Sequence, residues 1–344
     1  MADVVKKIGS AGGGIRDYPT WALWIAAVPA DITTAGGDNY RGEGYNDSEF
    51  VSNTTQLNIA GFTTSAAHQI IATAAAGQSF QDNASVRTNA LRYNASNGVA
   101  LRQTASYGGT LIGVNSNYVQ VTRLQLKDEG TGNGSSTPLS GEGTPATNII
   151  FKDCICEAHS RPVFNLYGSG CYAINISGFL RGSTGAGGDN GCHVRNGATA
   201  IGCTIVRDSG VSATGIGAMS LYSNSVLQSC AFFGFTTAAS ASNWDTTNSK
   251  NNATQLSSGL PGSGNQYSVT YNSTTPFTSA VIASLDLSAV ASTSLAANGY
   301  KDGTNAPNDI TGTARASSPT IGAWEISGGA APAPRQGLIM GVGL

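Results

Sequence analysis

The fold is decided by a six-residue unit that recurs through the middle of the chain, typified by Phe151-Lys-Asp-Cys-Ile-Cys156. Each copy is short and largely apolar, and Gly, Asn, Ser and Asp fill much of the sequence between copies. With the fourth residues aligned, successive copies lie 30, 24, 25 and 27 residues apart, a period typical of solenoids and propellers. The other copies are Val121-Thr-Arg-Leu-Gln-Leu126, Asn175-Ile-Ser-Gly-Phe-Leu180, Ala200-Ile-Gly-Cys-Thr-Ile205 and Leu227-Gln-Ser-Cys-Ala-Phe232.

The composition of these units selects strands over helices. Paired amphipathic helices would need Leu, Glu, Lys and Ala at helical spacing, and leucine-rich repeats would need several leucines in each unit. Short strands joined by tight turns and stacked in register, a parallel β-helix, fit the pattern instead. Stacking places equivalent residues about 4.8 Å apart, which favours rows of small or like side chains. We therefore expect one interior row, made of Leu124, Cys154, Gly178, Cys203 and Cys230, and roughly ten coils in all.

Charge and hydropathy exclude several classes of protein. Charged residues make up only 11% of the chain, and 18 Lys and Arg face 20 Asp and Glu. This balance disfavours nucleic-acid binding, because no basic excess is available to neutralise phosphates. No stretch approaches 18 consecutive apolar residues, so we expect no membrane span. The hydrophobic share of 40% with a net charge of −2 argues against intrinsic disorder.

The six cysteines lie between positions 154 and 230 and fit neither a zinc site nor a disulfide-rich scaffold. Cys154 and Cys156 form a C-x-C pair with no tight second pair after it. We expect reduced thiols in the core, and disulfides stay open for a protein outside the cell. The three histidines, His68, His159 and His193, are too dispersed to predict a metal site. No metal and no cofactor is therefore expected.

A segment near the N-terminus has the pattern of a short amphipathic helix over 18–28. Asp17 is the candidate N-cap, and Trp21, Trp24, Ile25 and Val28 share one apolar face. A membrane-surface helix is the alternative, but flanking Lys and Arg are missing. Because the open end of a solenoid exposes core and unpaired strand edges, we interpret this segment as a capping helix.

Two end motifs carry a family resemblance. Arg16-Asp-Tyr-Pro-Thr-Trp-Ala-Leu-Trp24 and Pro319-Thr-Ile-Gly-Ala-Trp-Glu325, with the repeats between them, resemble right-handed parallel β-helix repeat proteins of the pectate-lyase-like superfamily, most of all the β-helix proteins of phage particles. The resemblance implies an all-β, right-handed, single-stranded β-helix with a short N-terminal capping helix. The expected segments are 1–35, an arm and capping helix; 36–328, the β-helix; and 329–344, a Pro-rich linker and apolar tail.

Charged residues shortly after the row positions are the candidates for chemistry. Lys127, Glu157 and Arg181 follow the row by three residues, and Arg207 follows it by four. Paired carboxylates would serve a glycosidase, and a cation beside a carboxylate-bound metal would serve a lyase. A solvated stack of turns gives the same mixed charges. We predict no catalytic residue; for an enzyme, the candidates are Glu157, His159, Arg181 and Arg207.

Two functions remain after these exclusions. The first is a structural phage virion protein, a capsid or tail decoration or adhesion component assembled in the host cytoplasm, since no secretory signal is recognisable. The second is a polysaccharide lyase or glycosidase of the same fold, similar to a tail spike. For the first, we expect partners among copies of the chain itself, other virion proteins and a host surface glycan. The uncharged residues 337–344 are expected to lie against a neighbouring subunit, and the resemblance implies a trimer.

Overall fold

The computed structural model describes residues 3–11, 14–34, 39–83, 87, 91–104, 109–130, 137–141, 147–159, 161–182, 190–210, 213–222 and 224–326. The one α-helix in these ranges is α1 (Trp21–Ala26), and three 3₁₀ helices are Phe80–Asp82, Ala95–Asn97 and Ile282–Ser284. The strands are β1 (Val4–Ile8), β2 (Tyr40–Gly44), β3 (Phe50–Ser52), β4 (Leu57–Ala60), β5 (Ile70–Ala74), β6 (Ala100–Gln103), β7 (Ile112–Asn115), β8 (Val119–Thr122), β9 (Gln125–Asp128), β10 (Leu139–Gly141), β11 (Ile149–Lys152), β12 (Ile155–Ala158), β13 (Phe164–Tyr167), β14 (Tyr172–Ile174), β15 (Ser177–Leu180), β16 (Cys192–Arg195), β17 (Thr199–Ile201), β18 (Thr204–Arg207), β19 (Ile216–Met219), β20 (Val226–Gln228), β21 (Ala231–Phe233), β22 (Thr237–Ala239), β23 (Ala253–Thr254), β24 (Phe277–Ser279) and β25 (Asp286–Ala289).

Strands β1 to β23 form three parallel sheets in which each strand pairs with its equivalents one coil before and after, and β24 and β25 form a separate antiparallel pair. Sheet 1 has the order β1-β2-β5-β8-β11-β14-β17-β20, sheet 2 the order β3-β6-β9-β12-β15-β18-β21-β23, and sheet 3 the order β4-β7-β10-β13-β16-β19-β22. Single parallel bridges extend sheet 1, from Gln228 to Lys250 and from Lys250 to Ser263. The predicted parallel β-helix is confirmed. No helix in the described ranges is long and apolar enough to cross a membrane.

The corner between sheet 1 and sheet 2 has the same backbone shape in successive coils. One residue there takes a left-handed conformation, and its φ lies between 53° and 60° from Arg123 to Asn251. Asp, Asn, Ser and Gly, which tolerate this conformation, fill most of these positions. The chain thus turns from one sheet to the next in a single residue, which keeps the coils in register. The corner residues are Arg123, Asp153, Asn175, Gly202, Ser229 and Asn251.

The interior row after the corner differs from the prediction at one coil. Backbone hydrogen bonds from Ile155 to Leu124, from Ser177 to Cys154, from Thr204 to Ile176 and from Ala231 to Cys203 define the register. The row is therefore Leu124, Cys154, Ile176, Cys203 and Cys230, all fully buried. Gly178 belongs instead to the next interior row, with Leu126, Cys156, Ile205 and Phe232. Placing Gly178 in the first row was wrong by two residues, a shift that keeps a side chain on the same face of a strand.

The cysteines are buried and free. Cys154, Cys203 and Cys230 repeat one geometry: each thiol lies 3.4–3.9 Å from a carbonyl of the preceding coil and from the carbonyl two residues earlier in its own coil. Burial raises the pKa of the Cys154 thiol to about 12. These thiols act as small interior side chains that donate weak hydrogen bonds to backbone carbonyls near the corner between sheets 1 and 2.

Helix α1 is shorter than predicted and begins later. Its N-cap is Thr20, whose hydroxyl accepts from the Leu23 amide at 3.3 Å, while Asp17 accepts from the amide of Lys7. Trp21 and Trp24 are buried against β2, where Gly42 and Gly44 make room: a Cβ on either glycine would lie 2.7–2.8 Å from an indole ring. The N-cap prediction at Asp17 was wrong because Asp17 closes the preceding turn instead.

Residues 269–326, the C-terminal cover, leave the stack and pack on the outer face of sheet 2. Phe179, Val206 and Phe233 form an outward row on that sheet, and their rings and methyl groups form a second apolar cluster with the cover. The cover contributes Val269, Phe277, Ala280, Leu285, Leu287, Leu295, Ile310, Ile321, Ala323 and Trp324. The outer face of sheet 2 is thus a second core.

The cover is fastened to the corner residues by hydrogen bonds. Asn175 Nδ2 donates to the carbonyl of Asn308 at 2.9 Å, and Arg315 Nη2 donates to Asn175 Oδ1 at 2.9 Å. The Gly322 amide donates to the carbonyl of Ser229 at 2.8 Å. Gly322 has a φ of 105°, and a Cβ there would lie 2.4 Å from the hydroxyl of Thr204, so only glycine fits. The motif at 319–325 therefore fastens the end of the chain to the coil.

A buried set of charges lies under this attachment. Asp309 is fully buried and accepts from Arg87 Nη1 at 2.9 Å and from the Glu325 amide at 2.8 Å. Arg315 lies 3.6 Å from Glu325 Oε2. Burial raises the pKa of Asp153 at the corner to about 6, although Asn175 Nδ2 donates to its carboxylate at 2.8 Å. Ionising Asp153 therefore opposes folding.

The interior row position of Gly178 predicts a steric cost. A Cβ there would lie 2.6 Å from Val163 Cγ2 and 2.9 Å from Ile205 Cδ1. We expect Gly178→Ala to lower the free energy of unfolding by about 1–3 kcal/mol through overpacking. The control is Gly113→Ala on β7, where a Cβ would meet only Asn58 Oδ1 at 3.5 Å. Chemical denaturation measures both, and equal effects of the two substitutions would contradict the register.

The raised pKa of Asp153 predicts a pH dependence of stability. The folded value of about 6 exceeds the model-peptide value of 3.8. The stabilisation that the folded state gains by keeping Asp153 protonated is therefore complete below pH 3.8, and it is lost as the pH rises to about 6. The loss amounts to about 3 kcal/mol. In Asp153→Asn this contribution to the pH slope should vanish, as measured by denaturation at pH 4 to 7. An unchanged slope would contradict the assignment, and Asp245→Asn at the surface serves as the control.

The expected segment boundaries stay predictions. The Pro-rich linker and apolar tail expected at 329–344 lie outside the described residues.

Candidate functional site

Two of the candidate residues lie on the outer face of sheet 2, before the C-terminal cover reaches it. Lys127 on β9 and Glu157 on β12 are partners in register, in the same outward row as Arg102 and Phe179. Their side chains point outward because successive residues of a strand alternate between faces. Arg181 follows β15 directly and reaches back to the carbonyl of Asp128, to which its Nη2 donates at 2.9 Å.

These residues line a cleft of about 350 Å³, the charged cleft. Its other walls come from a loop before the second 3₁₀ helix and from the C-terminal cover. The loop is fixed by Gln125: its Oε1 accepts from the Asn94 amide at 2.9 Å, and its Nε2 donates to the Asn94 carbonyl at 3.0 Å. The lining residues are Arg92, Tyr93, Asn94, Lys127, Glu157, Arg181, Ile282 and Leu285.

Glu157 is a mostly buried carboxylate at the base of the cleft. Its residue is 7% exposed, and Oε1 accepts from the Tyr93 amide at 3.1 Å. Burial raises the pKa of Glu157, and the positive charges of Arg181, Lys127 and Arg92 counter this effect. Arg181 Nε lies 3.9 Å from Glu157 Oε2, an ion pair without a hydrogen bond.

The cations outnumber the carboxylate. Arg92 is exposed, and Lys127 Nζ lies 5.7 Å from the centre of the Tyr93 ring. Lys127 also lies 2.9 Å from Glu129, which is not among the lining residues. Three cations therefore surround Glu157, and the charge of the lining favours an anionic ligand.

Tyr93 links the cleft to the first coils. Its hydroxyl donates to Glu49 Oε1 at 2.7 Å, and burial together with this bond raises the pKa of the phenol far above its usual value. The phenol therefore stays protonated and has a structural partner. It is not available as a base.

The other two candidates lie outside the cleft. Arg207 is fully buried, and its Nη1 donates to the carbonyl of Gly182 at 2.8 Å. The His159 ring lies beside Gly182, where a Cβ would be 2.9 Å from Cε1. Arg207 therefore holds the turn after sheet 2, and the His159 ring packs beside the same turn.

Five of the eight lining residues could not be found from the spacing of the repeats. Arg92, Tyr93 and Asn94 precede the regular repeats, and Ile282 and Leu285 come from the cover more than 100 residues after Arg181. No pattern links these segments in the sequence, although the aromatic and basic pair at 92–93 was a usable signal.

The cleft suits binding better than acid–base chemistry. Its lining contains one carboxylate, whereas glycoside hydrolysis ordinarily uses two. Among the described residues, no group of three or more His, Cys, Asp or Glu is placed to hold a metal ion.

Comparison with known proteins adds a similarity of fold. No family model matches the sequence, and no curated protein matches it. A pectin methylesterase crystallised with a hexasaccharide is 12% identical, with a TM-score of 0.40 over 74% of this chain and 72% of that one. A pectate lyase is also 12% identical, with a TM-score of 0.42 over 94% of this chain and 97% of that one. At such values neither similarity bears on activity.

Proposed function

We propose that the protein is a structural, adhesive component of a phage particle and that its charged cleft holds an acidic glycan without cleaving it. The observation that carries the binding role is the set of three cations, Arg92, Lys127 and Arg181, around one mostly buried carboxylate. A uronate or sulfate group can neutralise this excess, and Glu157 can accept from a sugar hydroxyl.

The structural role is supported by how the chain uses its surfaces. Three sheets are hydrogen-bonded along the stack, and the apolar half of sheet 2 is closed by the chain's own C-terminal cover. Such a body is a rigid spacer. The proposal includes a right-handed coil, the hand that parallel connections almost always take, and a capping role for α1 at the first coil.

A polysaccharide lyase or glycosidase is the second candidate, and one observation favours it. Glu157 and Arg181 come together, and burial raises the pKa of Glu157, as is common for catalytic acids. The missing second carboxylate weighs against hydrolysis by the usual pair of acids.

The proposed partners are other copies of the chain, in a trimer, other virion proteins and a host surface glycan. The proposed location is the virion, after assembly in the host cytoplasm, with no role in binding nucleic acid or membranes.

Glycan binding should depend on the cleft cations. We expect Arg181→Gln to weaken binding of a uronate oligosaccharide about 10- to 100-fold, because it removes a charged hydrogen-bond donor. Lys7→Gln, at an exposed lysine on β1, should leave binding unchanged. Calorimetric titration measures both variants. Equal binding by all three proteins, or none, would contradict the assignment of the cleft.

Incubation with uronate-containing and capsular glycans should release no reducing ends and produce no unsaturated products. Turnover that disappears in Glu157→Ala would contradict the binding proposal and support a polysaccharide lyase or glycosidase instead.

The mass of the protein in solution tests assembly. We expect the full chain to be an oligomer and a version ending at Gln336 to be smaller or less stable. If both are monomers of identical stability and particles lack the protein, the virion proposal fails.

A further inference from the structure

The lining of the charged cleft includes an exposed apolar side chain. Ile282, on the third 3₁₀ helix, is 44% exposed, whereas Phe277, Leu285, Leu287 and Leu295 of the same C-terminal cover are at most 2% exposed. The cover buries its other large apolar groups against sheet 2, so Ile282 departs from the pattern of its own segment. This exposed side chain lines the charged cleft.

The position of Ile282 is fixed from both sides. Its amide lies 3.4 Å from Asp208 Oδ2, and the Ser209 amide donates to the carbonyl of Ala280 at 3.0 Å. After the 3₁₀ helix, Asp286 Oδ1 accepts from the Leu91 amide at 3.4 Å. The same segment is thus attached to the turn after β18 and to the loop that carries Arg92.

The cleft therefore presents two chemistries. Its cations, Arg92, Lys127 and Arg181, favour a negatively charged group on the ligand. Its apolar part, Ile282 with the edge of Leu285, favours an apolar group. An unsubstituted uronate offers a carboxylate and hydroxyls, which would leave the Ile282 side chain facing a polar ligand. An acyl ester or amide on the sugar supplies the missing apolar group.

We propose that the cleft selects an acidic saccharide that carries a small acyl substituent, with its acid group among the cations and its acyl methyl against Ile282. This inference rests on the proposed function and names the ligand class of the same site. Burying one methyl group against Ile282 corresponds to roughly a fourfold gain in affinity. The cover is then the element that determines specificity, while the strands of sheet 2 supply the charge.

The experiment titrates the full chain with uronate oligosaccharides of one length, with and without O-acetyl groups. The variant is Ile282→Ser, and the control is Leu221→Ser, because Leu221 is 46% exposed and belongs to the loop after β19. Circular dichroism and the denaturation midpoint confirm that both variants fold.

We expect the unchanged protein and Leu221→Ser to bind the acetylated form about three- to tenfold more tightly. Ile282→Ser should bind both forms with the affinity that the unchanged protein shows for the unacetylated one. Equal affinity of the unchanged protein for the two forms, or a preference that survives in Ile282→Ser, overturns the inference and leaves the proposed function standing. Binding of neither form overturns both.

Discussion

In-register parallel stacking is the constraint on which the rest of the structure depends. Each residue lies directly above its equivalent in the next coil, so a side chain that suits one position must suit a row. Inside, this favours the small and medium residues that follow the corner, from Leu124 to Cys230. Outside, it forbids uncompensated rows of one charge. Arg102 and Lys127 are neighbours in one row, and Glu129 lies between them, 3.0 Å from the first and 2.9 Å from the second.

That outward row changes character along the stack, and the change creates the cleft. After Val51 it runs through Arg102, Lys127 and Glu157 and continues as Phe179, Val206 and Phe233. The apolar half must be covered, and the chain covers it with its own C-terminal residues. The charged half stays open. The cleft lies at the boundary between them, so cations and an apolar rim share one site.

The left-handed corner has two roles that come from one geometry. It turns the chain between sheets in a single residue, and at five of its six positions that residue carries a polar side chain. Asn175 and Ser229 use these groups to hold the cover, through Asn308, Arg315 and Gly322. The attachment includes the partly buried carboxyl group of Asp153, whose raised pKa makes the fold favour a protonated corner.

Sequence alone determined the parallel β-helix, because strand units at a regular spacing with turn residues between them have few other ways to bury their apolar face. It also placed Cys154, Cys203 and Cys230 inside and paired Glu157 with Arg181 as candidates. It misplaced Gly178 by two residues, since a shift of two preserves the face of a strand. Only the tertiary structure decided that residues 269–326 leave the coil, and that Ile282 lines the same cleft as Lys127. Those contacts join segments far apart in the chain, and no local periodicity records them.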